Sequence, residues 1–162
     1  MSEQPFVFHA TSLVLGSYGI LLCGPSGSGK TSLALTLIER AHMAGRVGTL
    51  IADDQTVLSV CDQKLMASTP PAIAGAIEIR GAGLFSVPYQ PEAKIDLLVE
   101  LVATAQAPRY PADSKRELAG LMIPVLELPR LAGAYDSLQC ARAIEATLFM
   151  KRWGDGDLSP LD

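Results

Sequence analysis

The stretch CGPSGSGKTS, residues 23–32, holds Gly24, four intervening residues, Gly29, Lys30 and Thr31, the spacing of a phosphate-binding loop. Such a loop joins a strand to a helix, and both are legible here. ILLC, residues 20–23, is an aliphatic run suited to a buried strand. KTSLALTLIERAHMAG, residues 30–45, has helical period: Leu33, Leu37 and Ala41 fall in one row, Ala34 and Ile38 lie beside it, and Gly45 is a stop. Backbone N–H groups around Gly27 and Gly29 can converge on an anion, and the helix start adds partial positive charge. Glycine also lets the backbone approach a phosphate without a Cβ in the way. Gly24, Pro25, Ser26, Gly27, Ser28 and Gly29 are therefore the expected cradle for a nucleotide's phosphates. Lys30 is expected to neutralise β- and γ-oxygens, and the Thr31 hydroxyl to ligate Mg²⁺. The alternative, a Gly/Ser turn without a ligand, fits the strand–loop–helix context poorly.

Working outward, TSLVLGSYG predicts a reversal around Gly16, Ser17, Tyr18 and Gly19 that feeds the strand at 20–23. VGTLIADD, residues 47–54, reads as a buried strand with two carboxylates at its end. TVLSVC and KLMAST alternate about Asp62 and Gln63 as a hairpin does. PPAIAGAIEIRGAG approaches a short strand and then a Gly-rich turn. KIDLLVELV, residues 94–102, suits strand or helix, and strand is favoured. APRYPADSKREL, residues 107–118, reads as a polar connection before a last strand at 123–128. YDSLQCARAIEATLFM reads as a closing helix with Asp136 or Ser137 as N-cap. Leu138, Ala141, Ile144 and Leu148 face inward, and Gly154 lies beyond its end. Residues 154–162 are expected to be a frayed tail. The expectation is one α/β domain over residues 1–153: a mixed sheet, a helix after the phosphate loop and a C-terminal helix.

Composition narrows the function classes. The 162 residues are 49% hydrophobic and 19% charged, a globular balance of single-domain size. A net charge of −4, a pI near 5.1 and no basic run argue against nucleic acid as a partner. Cys23, Cys61 and Cys140 are scattered without metal-ligand spacing and read as buried small residues of a reducing compartment. MSEQPFVFHA places Glu3 where a secretion signal carries basic residues, and no apolar stretch approaches the roughly 18 residues of a membrane span. The expectation is a cytoplasmic protein with no membrane contact.

Four further places carry titratable groups. Asp53 and Asp54 end an apolar run, and neighbouring side chains on a strand alternate faces. One carboxylate can reach a metal while the other faces an acceptor hydroxyl; a solvated turn or a metal-only acid is the alternative. Glu78 and Arg80, in IEIRGAGLF, share a strand face, and on charge pattern alone they form an ordinary ion pair. His9 in isolation reads as structural, and His42 as a dipole partner in the last turn of its helix.

Taken together, His9 lying 21 positions before Lys30, then GPSGSGKTS, ADD, EIRGAGLF and Val87, resemble the kinase domain of the bacterial HPr kinase/phosphorylase family. The likeness runs from His9 to the closing helix, and its specific part is EIRG-x-G with ADD. It implies a fold akin to phosphoenolpyruvate carboxykinase, active-site roles for His9, Lys30 and Arg80, and magnesium held by Thr31 and Glu78. It further implies that Asp54 accepts the proton of a serine hydroxyl on the phosphocarrier HPr, and that residues 77–86 serve both reaction directions. Arg109, in APRYP, takes the place of a further active-site arginine. A homo-oligomer, with the family's hexamer as its form, is implied too. Regulation of the phosphotransferase system and carbohydrate metabolism follows from the same likeness. Departures include Pro25 where relatives often carry an acid, Ser32 where they carry Glu, and a longer connection through HMAGRVGT. The start of the chain resembles the short proteobacterial form without an N-terminal domain.

The leading expectation is an ATP- and Mg²⁺-dependent protein serine kinase acting on HPr. A non-catalytic nucleotide-gated regulator is the rival, and a small-molecule kinase a third reading. A pure sensor needs no general base, so the set His9, Asp54, Glu78 and Arg80 favours the first. The segment expected to serve phosphorolysis reads VLELPR, with Glu127, a lone Arg130 and no glycine. Phosphorylation is thus expected to persist and phosphorolysis to be weak or absent.

Overall fold

The computed structural model describes residues 4–132 and 136–153. The expected Gly154 stop and the tail at 154–162 lie outside the described residues. The first reversal forms as expected: β1 (Phe6–Leu15) turns at Gly16 and Ser17 into β2 (Tyr18–Cys23), its antiparallel partner. The phosphate loop follows, and α1 (Lys30–Met43) leaves it. Leu33, Ala34, Leu37 and Ala41 are its buried side chains, the row expected from the period. His42, on the last turn, donates from Nε2 to the Gly48 carbonyl at 2.8 Å, so its ring fastens the helix end to the strand that follows.

That strand, β3 (Gly48–Ala52), and the next, β4 (Gln55–Cys61), lie end to end along β1, both antiparallel to it. A register shift at Ser12/Leu13 interrupts the β1–β3 pairing, and Asp53 and Asp54 fill the gap between β3 and β4, with Ala10 N–H bonded to Asp54 O at 3.1 Å. β4 pairs with β5 (Lys64–Ser68) across Asp62 and Gln63, both at positive φ, the hairpin expected. β6 (Ala76–Ile79) and β7 (Gly83–Ser86) form a separate two-stranded hairpin. β8 (Glu92–Lys94) pairs with β5, and β9 (Leu97–Val102) settles the strand-or-helix question of KIDLLVELV as strand.

One expectation is corrected here. KREL, read as part of a polar connection, is β10 (Lys115–Leu118), paired with β11 (Leu121–Pro129) across a tight turn at Ala119 and Gly120. β10 is an edge strand whose first three residues are exposed, so it carries no buried alternation from which a strand could be recognised. α2 (Asp136–Phe149) closes the described chain. Asp136 opens it and accepts from the Ala132 N–H at 2.7 Å.

Among the described residues the main sheet runs β10-β11-β9-β2-β1-β4-β5-β8, with β3 also on β1. Only β2/β9 and β9/β11 pair in parallel, so the sheet is mixed and the fold is α/β. Alternation along the central strands splits the core in two. Leu13, Ile20, Leu22, Val99 and Leu126 meet α1 and α2 on one face. Val14, Leu21, Leu98 and Val125 meet Leu58 and Leu65 of the β4–β5 hairpin on the other. The sheet folds back on itself where Asp96 N–H bonds Gly19 O at 2.8 Å. A Cβ at Gly19 would sit 1.8 Å from the Lys94 carbonyl oxygen, so only glycine admits this approach. Cys140 is buried and Cys23 half-buried, but Cys61 is exposed at the end of β4, against the expectation of burial. No helix among the described residues is long and apolar enough to cross a membrane.

Candidate active site

The phosphate loop sits at the carboxyl end of β2, where the parallel strands β2, β9 and β11 also end. Ser28 N–H bonds the Pro25 carbonyl at 3.1 Å and closes the loop. Gly29 is the residue before α1, at φ 98°, with no side chain capping the helix and no acid in the first turn. The first-turn N–H groups are thus left for an anion instead of a cap. The Ser28 hydroxyl is buried without a hydrogen-bond partner, a second polar group within the loop that the protein leaves unsatisfied.

Lys30 is buried, yet its ammonium reaches the loop mouth. Nζ donates to the Gly24 carbonyl at 3.0 Å and the Pro25 carbonyl at 3.2 Å. It also lies 3.4 Å from His9 Nε2 and 3.9 Å from Asp54 Oδ1. An ammonium has only donors, so in this contact Nε2 is the acceptor. Nδ1 faces Asp54 Oδ1 at 3.6 Å. The structure therefore brings His9, Lys30 and Asp54 into one triangle.

The paired acids separate as strand geometry requires. Asp53 is buried and accepts three bonds: from the Thr11 hydroxyl at 3.0 Å, the Thr31 hydroxyl at 2.8 Å and the Glu78 N–H at 3.2 Å. Asp54 turns outward at φ 64°, with its side chain 62% exposed. Asp53 thus ties β1, α1 and β6 together beneath the loop, and Asp54 stands at its rim beside His9 and Lys30.

Lys30, Thr31, Asp53 and Asp54 line a cleft of about 540 Å³, within the size range of small-molecule sites, and His9 lies outside its lining. Glu78 and Arg80 line it as well, from the β6–β7 hairpin. The Arg80 guanidinium passes 3.9 Å from where a Cβ on Gly27 would stand, so it overhangs the loop. Among the described residues no ion pair joins Glu78 to Arg80, against the charge-pattern reading; each faces the cleft separately. Arg109 is not brought there. It lies in the loop between β9 and β10, its guanidinium 5.5 Å from the Tyr110 ring centroid.

The family model for the HPr Serine kinase C-terminal domain matches residues 3–153. The chain belongs to this family. The HPr kinase/phosphorylase of Caldicellulosiruptor bescii is 31% identical, over 75% of this chain and 41% of its own length. That of Ralstonia nicotianae is 28% identical, over 94% of this chain and 48% of its own. The chain thus spans about half the length, or less, of these HPr kinase/phosphorylases. The solved Hpr(Ser) kinase/phosphatase from Coxiella burnetii superposes with a TM-score of 0.75 at 24% identity, covering 88% of this chain and 90% of that one, and shares the fold.

In this HPr serine kinase C-terminal domain the residues fit magnesium and a polyphosphate. Thr31, Asp53 and Glu78 put a hydroxyl and two carboxylates on the cleft, hard oxygen donors of the kind magnesium takes. Among the described residues no cluster of three or more His, Cys, Asp or Glu could hold a metal alone. Magnesium is usually held by one or two carboxylates together with substrate phosphates and water. The structure also adds cleft residues to which sequence reading gave no site role: Ser32, Leu35, Leu131 and Ser137. Leu35 and Ser32 carried a signal, since they share the α1 face that carries Thr31 and stand off the core row. Leu131 and Ser137 carried none, because only the path from β11 to α2 brings them to the loop.

Proposed function

We propose that this chain is a cytoplasmic, ATP- and magnesium-dependent protein serine kinase that phosphorylates HPr. Asp54 carries the reading. A nucleotide sensor needs a phosphate loop and a metal site, but it has no use for an exposed carboxylate held at positive φ beside the loop lysine. A general base needs just that placement. The chain's similarity to HPr kinase/phosphorylases supports HPr as the substrate.

In this reading the serine oxygen bonds to the γ-phosphorus, the bridge to the β-phosphate breaks, ADP leaves, and the serine proton passes to Asp54. His9 stands beside Asp54, its Nδ1 3.6 Å from Oδ1, and limits where the carboxylate can turn. Lys30 and Arg80 offset charge on the phosphoryl oxygens, and the open N–H groups of the loop hold the polyphosphate. Thr31, Asp53 and Glu78 would hold magnesium, whose charge steadies the same oxygens.

Phosphorolysis is the weaker direction. It sets two phosphate dianions against each other and needs added cations or backbone donors. Val125–Pro129 is instead consumed in pairing with β9, and the Arg130 N–H bonds the Val102 carbonyl. Incubation with HPr and γ-labelled ATP tests the proposal. Acid-stable phosphoserine on HPr is the expected product, and bound ATP without transfer would return the chain to the class of nucleotide-gated regulators.

A further inference from the structure

The cleft has two chemically unlike walls. One carries Asp53, Asp54, Glu78 and Arg80. The other carries Leu35, Leu131 and the hydroxyls of Ser32 and Ser137. We propose that this second wall seats the nucleoside of the bound nucleotide, with its base on Leu35 and Leu131. The inference rests on the nucleotide reading above and adds where the nucleoside lies.

Leu35 stands one turn beyond Thr31 on α1, outside the row that enters the core, and is only partly covered. Leu131 lies two residues past the end of β11, and its N–H bonds the Ser28 carbonyl at 3.0 Å. Its side chain lies against Gly29 so closely that a Cβ there would meet Leu131 Cδ1 at 2.4 Å. The shelf is therefore fastened to the loop and cannot drift from it. Ser137, in the first turn of α2, hydrogen-bonds through its hydroxyl to Thr36 Oγ1 at 2.5 Å, which fixes the far edge.

Charge decides between the walls. The acidic wall supplies oxygens for a metal and a base for a hydroxyl, and Ile79 is the one large apolar side chain it brings to the cleft, against two leucines opposite. The leucine wall offers apolar surface with hydroxyls beside it, the composition that suits a base and its ribose. It also lies at the carboxyl ends of β2 and β11, the side of a parallel sheet on which ligands collect.

The test compares two ligands that share a polyphosphate and differ in the nucleoside. ATP and inorganic tripolyphosphate, each with magnesium, are titrated calorimetrically into wild type, Leu35→Ala and Leu131→Ala. Loss of apolar cover should weaken ATP about tenfold in each variant and leave tripolyphosphate within about twofold of wild type. Parallel losses for both ligands, or an unchanged ATP affinity, overturn the assignment of this wall. Partly covered Leu35 keeps the test decisive should Leu131→Ala unfold. Wild type that binds neither ligand overturns the nucleotide reading itself, and this inference with it. Wild type that binds both while the variants keep full ATP affinity overturns only the inference.

Discussion

Thr31 Oγ1 donates to Asp53 Oδ1 at 2.8 Å, so the hydroxyl expected at the metal is already held by a buried carboxylate. The same oxygen takes the Thr11 hydroxyl, and Oδ2 takes the Glu78 N–H. One side chain therefore sets the spacing of β1, α1 and β6 around the cleft. Asp53→Ala leaves three donors without an acceptor. At about 1 kcal/mol or more for each, the loss is about 3 kcal/mol, which lowers Tm by about 10 °C in a chain of this size. Thermal unfolding by circular dichroism reads it; an unchanged Tm would show that water replaces the carboxylate.

Glu78 separates backbone from side chain. Its N–H supports Asp53, and its carboxylate faces the cleft. Glu78→Ala keeps the first and removes the second. The variant should melt with wild type while its half-saturating magnesium rises by at least about tenfold. A magnesium titration superposing on that of wild type would take Glu78 out of the metal site.

Gly19 tests the fold-back of the sheet. Gly19→Ala places a methyl 1.8 Å from the Lys94 carbonyl, where backbone must move on both sides. A loss of about 3 kcal/mol is expected, seen as a lower urea midpoint with the slope preserved. A wild-type midpoint would mean that β8 and β2 part easily and that the closure adds little.

The cysteines give a chemical check on burial. Burial, with Glu100 nearby, pushes the Cys23 thiol up to about 12, and burial, with Asp136, pushes Cys140 up to about 11. Both stay protonated at pH 8, below either value, whereas Cys61 is exposed. A thiol reagent at pH 8 should label Cys61 rapidly in the folded protein and all three after denaturation. Rapid labelling of Cys23 would contradict its burial.

The strongest periodic signals carried over into the structure: the strand–loop–helix unit, the hairpin at Asp62 and Gln63, and the inward row of α1. These are local features, set by backbone geometry and amphipathicity within a few residues. β10 was missed because an exposed edge strand has no face to bury, and Cys61 because residue type alone does not show which end of a strand meets solvent. At the cleft, the loop and the separation of two adjacent acids were legible. Which acid turns inward was not, since that depends on β3 and β4 meeting end to end opposite Thr11. The Leu131 wall was equally hidden, because it forms from residues about a hundred positions from the loop.

In the proposed reaction Asp54 removes a proton from serine during transfer from ATP. The measurement is phosphoserine formation in HPr by wild type and Asp54→Asn at saturating ATP, with ATP affinity determined on the same preparations. Loss of a general base predicts a rate lower by roughly 10²–10⁴ with ATP affinity within about twofold, because Asp54 is exposed at the rim and bonds no phosphate-binding N–H. Full activity in Asp54→Asn would contradict the account, and so would its transfer to Asp53, with Asp53→Asn inactive and Asp54→Asn unimpaired.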